Sequence, residues 1–127
     1  MTARSNKEGL RWLAQAQRDL SDGEYLLEGA RYNTACFLAQ QAAEKAVVGY
    51  LFHRGAEDVW GHSLSDLCED AAVFDQTFQI LRSNASLLDK YFYMTRYPRF
   101  LPGGIPADAF DETEARGAIG LVREVIA

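Results

Sequence analysis

Residues 33–54 read NTACFLAQQAAEKAVVGYLFHR, and the fold turns on how this stretch is read. Ala35, Cys36, Leu38, Ala39, Ala42, Ala43, Ala46, Val47, Tyr50 and Leu51 recur at helical spacing, which predicts a helix from about Asn33 to Arg54. Alanines on its packing face let a neighbouring backbone come close. Gln40, Gln41, Glu44 and Lys45 are threaded through the same segment. On so apolar a helix some of these lie near an interface. A buried one must find partners, since an unsatisfied polar group costs roughly 1–3 kcal/mol. The alternative for Gln40 and Glu44, four residues apart, is a solvated stripe.

Upstream, the periodicity of Leu10, Leu13, Ala16/Gln17, Leu20 and Leu27 predicts a first helix from about Ser5 or Asn6 to Glu28. Trp12, Tyr25 and Leu26 widen its stripe. Gly29-Ala30-Arg31-Tyr32 reads as the stop, with Gly29 as the left-handed residue. So short a connection makes the first two helices antiparallel neighbours.

Downstream, Gly55 ends the second helix, and Ala56 to His62 is an acidic connector containing Trp60. Ser63 caps a third helix, with Asp66 three residues on, and this helix ends near Phe74. A broken segment, Gln76 to Arg82, leads to a fourth helix from about Ser83 or Asn84 to Thr95 or Arg96, with Leu87, Leu88, Tyr91 and Phe92 on its core side. Tyr97 to Pro106 is an irregular segment folded back over the bundle, and a fifth helix runs from about Asp108 to Ile126. The expectation is an all-α, up-and-down four-helix bundle with an additional short or fifth helix, in one domain spanning 1–127.

Composition fits this. The chain of 127 residues is 48% apolar and 24% charged, ordinary for a soluble globular protein. No apolar run approaches the roughly 18 residues of a membrane helix, and nothing resembles a secretory signal, so a cytoplasmic protein is expected. Cys36 and Cys68 fit no zinc or CxxC spacing and read as reduced, buried thiols. Walker and GxGxxG loops and Glu-x-x-His steps are absent, so neither a metal nor a cofactor is expected. A net charge of -5 argues against a broad polyanion surface but leaves room for a local anion site.

Such a site is offered by Tyr91-Phe92-Tyr93-Met94-Thr95-Arg96-Tyr97-Pro98-Arg99. Pro98 disfavours helical geometry at Tyr97, so the helix stops near Arg96. Arg96 and Arg99 then flank a chain break and can offer forked hydrogen bonds to phosphate or carboxylate. The competing reading packs the tyrosines in the core and leaves Arg96 as a cation at a helix C-terminus.

Three motifs, in order and spacing, resemble the HEPN domain family: Phe37-Leu38-Ala39-Gln40-Gln41-Ala42-Ala43-Glu44-Lys45-Ala46, Gly61-His62-Ser63-Leu64-Ser65-Asp66-Leu67 and Thr95-Arg96-Tyr97-Pro98. The resemblance spans nearly the whole chain. It implies a helical bundle, usually a homodimer, that binds nucleotide or RNA. Such domains often act with a minimal nucleotidyltransferase as a toxin–antitoxin-like pair. On this resemblance Arg96, Arg99, Tyr97, Tyr93, Lys45, Gln41 and Glu44 are the candidate nucleotide- or anion-binding residues. A ribonuclease subset of the family carries a histidine four to six residues after the arginine. Here the only histidines, His53 and His62, lie upstream. A metal-independent ribonuclease needs a proton shuttle near neutral pH, so the resemblance points to a non-catalytic domain. The alternatives are a ribonuclease toxin pairing Arg96 with His62, or a module that docks protein alone. His62 also has a structural reading, as a backbone partner at the start of the third helix.

Overall fold

The computed structural model describes residues 3–56, 59 and 63–126. Trp60, Gly61 and His62, with the roles expected of them, lie outside those residues. The chain folds as α1 (Ala3–Glu28), α2 (Tyr32–His53), α3 (Leu64–Ala72), α4 (Thr77–Met94), a 3₁₀ turn (Pro98–Phe100), α5 (Pro106–Ala109) and α6 (Glu112–Ile126). Among the described residues there is no strand, and the fold is an all-α bundle. No described helix is long and apolar enough to cross a membrane.

The alanines explain the arrangement. Ala35, Ala39, Ala42 and Ala43 are fully buried, and α2 packs against α1, α3, α4, α5 and α6. A helix apolar around most of its surface belongs in the middle. The approach of α1 to α2 is closest at two glycines. A Cβ on Gly9 would sit 2.8 Å from the Gly49 carbonyl oxygen, and one on Gly49 would sit 2.9 Å from that of Gly9. Asn6, expected as a cap, is instead inside α1, and its Oδ1 lies 3.0 Å from Nδ1 of His53.

The turn after α1 departs from expectation by one residue. Glu28 still belongs to the helix and the Gly29 N–H bonds the Tyr25 carbonyl at 3.1 Å, so the left-handed position falls on Ala30, with φ 59°. Arg31 N–H then reaches back to the Leu26 carbonyl at 2.9 Å and closes the helix end. After α2 the same closure uses Gly55, at φ 101°, as its sequence suggested.

The start of α3 is doubly capped. Ser63 Oγ accepts from Asp66 N–H at 3.1 Å, as expected. The Asp89 carboxylate, from α4, also accepts from Leu64 and Ser65 N–H at 2.7 and 3.1 Å.

Four expectations are corrected here. The fourth helix is unbroken from Thr77, because Asp75 accepts from both the N–H and the hydroxyl of Thr77 and half-buried Phe78 and Leu81 carry the apolar face through. Its core stripe is Ala85, Leu88 and Tyr91, whereas Leu87 is 47% exposed. The last helix starts at Glu112 rather than Asp108. Phe110 is extended and buried against Tyr91, ring centroids 5.8 Å apart, and this breaks the chain between α5 and α6. On α1, Tyr25 does not widen the buried stripe: it is 80% exposed.

Cys36 and Cys68 are buried and free, as read from their spacing. Burial pushes both thiols up to about 12, with nearby carboxylates adding to the effect.

Candidate functional site

The end of α4 is wrapped by the side chains that follow it. Three carbonyls of its last turn would otherwise lack partners. Thr95 Oγ1 donates to the Tyr91 carbonyl, Arg96 Nε donates to that of Phe92 at 2.8 Å, and the Tyr97 N–H reaches that of Tyr93 at 3.1 Å. Asn33, from the start of α2, donates to the Thr95 carbonyl at 3.0 Å and pins this end to the bundle. Tyr97 is extended (φ −124°, ψ 122°), as the following proline requires.

Arg96 is thereby held in a cage of rings. Its guanidinium carbon lies 4.5 Å from the ring centre of Phe37, 4.6 Å from Phe92 and 5.1 Å from Tyr97. These distances are within cation–π range. The aromatic run continues outward: Phe92 meets Tyr93 at 4.7 Å, Tyr93 meets Phe100 at 5.1 Å, and Arg99 stands 5.4 Å from Phe100. Tyr93, Tyr97, Arg96 and Arg99 are all exposed. Among the described residues no carboxylate forms an ion pair with Arg96, Arg99 or Lys90, and the one acidic side chain beside them in sequence, Asp89, is engaged at α3. The site can therefore present cations and flat ring faces together.

Lys45, Gln41 and Glu44 form a second cluster, two turns and less along α2 from Phe37. Lys45 Nζ lies 2.5 Å from Asp19 Oδ2 and 3.4 Å from Gln41 Oε1. Gln41 donates to Gln40 at 2.7 Å, and Gln40 donates to Glu44 at 3.2 Å. Gln15 completes the chain from α1, donating to Asp19 Oδ1 at 2.8 Å. Gln40 is 1% exposed and Asp19 6%, so these groups are an internal network rather than a solvated stripe. The structure thus brings Arg96, Arg99, Tyr93 and Tyr97 together, and ties Lys45 into the α1–α2 contact.

Phe37 and Phe92, two walls of the Arg96 cage, were not singled out from sequence as site residues. Phe92 stands four residues before Arg96, the spacing of helix neighbours, and that signal was available. Asp19 carried none toward Lys45, which stands on another helix, whereas Gln15, four residues before Asp19 on α1, carried the same signal of helix neighbours. Among the described residues no group of three His, Cys, Asp or Glu side chains gathers as metal ligands. The segment from Tyr97 to Pro106 is held by Phe100 on Tyr93 and by buried Pro106, whereas Ile105 is 51% exposed.

The HEPN domain model matches residues 10–127, most of the chain. The chain belongs to the HEPN family. Its bundle is similar to the crystal structure of TT1696 from Thermus thermophilus, at 37% identity and a TM-score of 0.87, over 94% of this chain and 93% of that one. It is also similar to ST0689, described as an archaeal HEPN homologue, at 34% identity and a TM-score of 0.76, over 94% and 92% of the two chains. No curated protein matches the chain. The motifs that suggested HEPN from sequence fall, where described, on α2, the start of α3 and the end of α4.

Proposed function

We propose that this HEPN domain binds nucleotide or RNA at the Arg96 site and does so without catalysing its cleavage. The supporting observation is the ring-caged, exposed guanidinium of Arg96 beside Arg99, with no carboxylate paired to either among the described residues. Phosphate would be held by the two arginines, and a base would stack on Tyr93 or Tyr97. Base–aromatic stacking contributes about 1–3 kcal/mol per base. Catalysis would need a proton shuttle. His53 sits at the far end of α2 from Phe37, about 24 Å along the helix axis, and its ring is bonded to Asn6. It does not reach Arg96 of the same chain.

The reading is tested by equilibrium binding of labelled ATP, GTP and short single-stranded RNA to the wild type and to Arg96→Ala. Binding lost in a variant that stays folded, with unfolding shifted by no more than ~1 kcal/mol, supports it. Identical binding by both proteins moves the assignment to a protein-docking module.

The proposal extends to assembly. HEPN resemblance implies a homodimer and a small nucleotidyltransferase partner, in a toxin–antitoxin-like pair. The exposed Tyr25 ring is one a partner copy would cover. Light scattering at micromolar concentration should report twice the mass of one chain; a one-chain mass would remove the homodimer.

A further inference from the structure

A second surface lies apart from the arginine site. Helices α4 and α6 each pack on α2, and a trough runs along the seam between them. It consists of two adjoining cavities of about 460 and 300 Å³ between α4 and α6, and it opens at one end into a third, of about 340 Å³, lined mainly by α1 and α2. The first and second share Asn84 and Leu121; the first and third share Tyr50, Phe78 and Val125. From Phe78 to Tyr91 the trough follows α4 for about 20 Å. Neither Arg96 nor any ring of its cage lines it.

The lining is apolar and partly uncovered. Ile80 is 74% exposed, Leu10 63% and Leu87 47%. Gly117, on the α6 wall, has no neighbouring atom within 4 Å of where a Cβ would stand, so an incoming backbone can come close. Among the described residues, the acidic side chains that line it are Asp75, Glu124 and Glu114, with no Lys or Arg. Glu114 is engaged by the Tyr91 hydroxyl at 2.9 Å. Asp75 is held ionised by the Thr77 N–H and hydroxyl, which lower its pKa. The free negative charge therefore sits on opposite walls, at Asp75 before α4 and Glu124 on α6.

This charge decides the occupant. A second copy, of net charge -5, would bring the same carboxylates against these. We propose that the α4–α6 trough receives a basic amphipathic helix of a partner protein. Its apolar side chains enter the three cavities, and its lysines or arginines meet Asp75 and Glu124, the helix-in-groove mode of recognition.

The probe is a fluorescein-labelled Leu/Lys amphipathic peptide of about 16 residues, roughly 24 Å as a helix, read by anisotropy against the full chain. Ile80→Asp and Leu87→Asp alter exposed side chains and should leave the fold intact. Each adds negative charge, so plain electrostatic attraction would strengthen, whereas docking in the trough should weaken by about tenfold, as for loss of an apolar anchor. Glu124→Lys should weaken binding as well, and a Leu/Glu peptide should not bind. Equal or tighter binding by Ile80→Asp would overturn the proposal, as would no binding by the wild type. A wild-type dimer that Ile80→Asp converts to monomer would overturn it in favour of a second copy.

Discussion

Lys45 and Arg96 are both cations placed beside the same helix, α2, yet they are used in opposite ways. Lys45 is three-quarters covered, and a nearly buried carboxylate, Asp19, meets its ammonium directly. Arg96 is exposed and meets ring faces and a helix-end carbonyl instead of a carboxylate. The ammonium is a compact charge that one carboxylate can satisfy. The guanidinium is a plane, whose faces can rest on rings while its edge still donates. The difference teaches where a ligand would find unneutralised charge on a protein of net charge -5. It is at the end of α4, not in the α1–α2 network.

Substitutions can break or sharpen that contrast. Lys45→Met should have the largest effect, costing roughly 3 kcal/mol in urea unfolding, the low end for breaking a buried pair because Lys45 is about a quarter exposed. Ligand binding at the folded protein should be unaffected, and a loss of RNA binding here would merge the two clusters into one site. Arg96→Ala should act on the other axis, weakening nucleotide or RNA binding by about 1.5–3 kcal/mol and stability by only ~0.3–1 kcal/mol. Arg96→Lys should restore part of the binding, since an ammonium lacks the fork. Gln15→Ala removes one of the two donors to Asp19 and should cost about 1 kcal/mol of stability by the same urea titration. Tyr97→Ala removes one ring beneath Arg96. A binding loss of about 0.5–1 kcal/mol, measured by titration, is expected.

Much of the fold was legible in the sequence because helical periodicity and stop signals are local. The alanine ladder of α2, the Ser63 cap and Pro98 each act within a few residues, and each appears where it was read. The errors have a common cause. A break was expected at Gln76–Arg82, but the Asp75 cap and the burial of Phe78 and Leu81 favour continuity, and burial depends on neighbouring helices. The left-handed residue falls on Ala30 rather than Gly29, although α1 ends at Glu28 as expected, because the Gly29 N–H continues the helical bonding to the Tyr25 carbonyl and the reversal comes one residue later. In the site, Arg96, Arg99 and the tyrosines could be named because they adjoin one another in the chain. The partner of Lys45 could not: Asp19 is 26 residues away, on a helix whose crossing depends on Gly9 and Gly49.

That crossing bears on the order in which the molecule assembles. α1 and α2 are joined by three residues, so their contacts beside the turn are local and form early, and the pair can close from there toward Gly9 and Gly49. The helices meeting at Gly9 and Gly49 carry no side chains there to be repacked, which removes a slow search over rotamers from the closest part of the pair. The hairpin of α1 and α2 is then the expected first-formed unit, onto which α3, α4 and α6 condense. Its amides near Gly49 should be among the last to exchange with deuterated solvent.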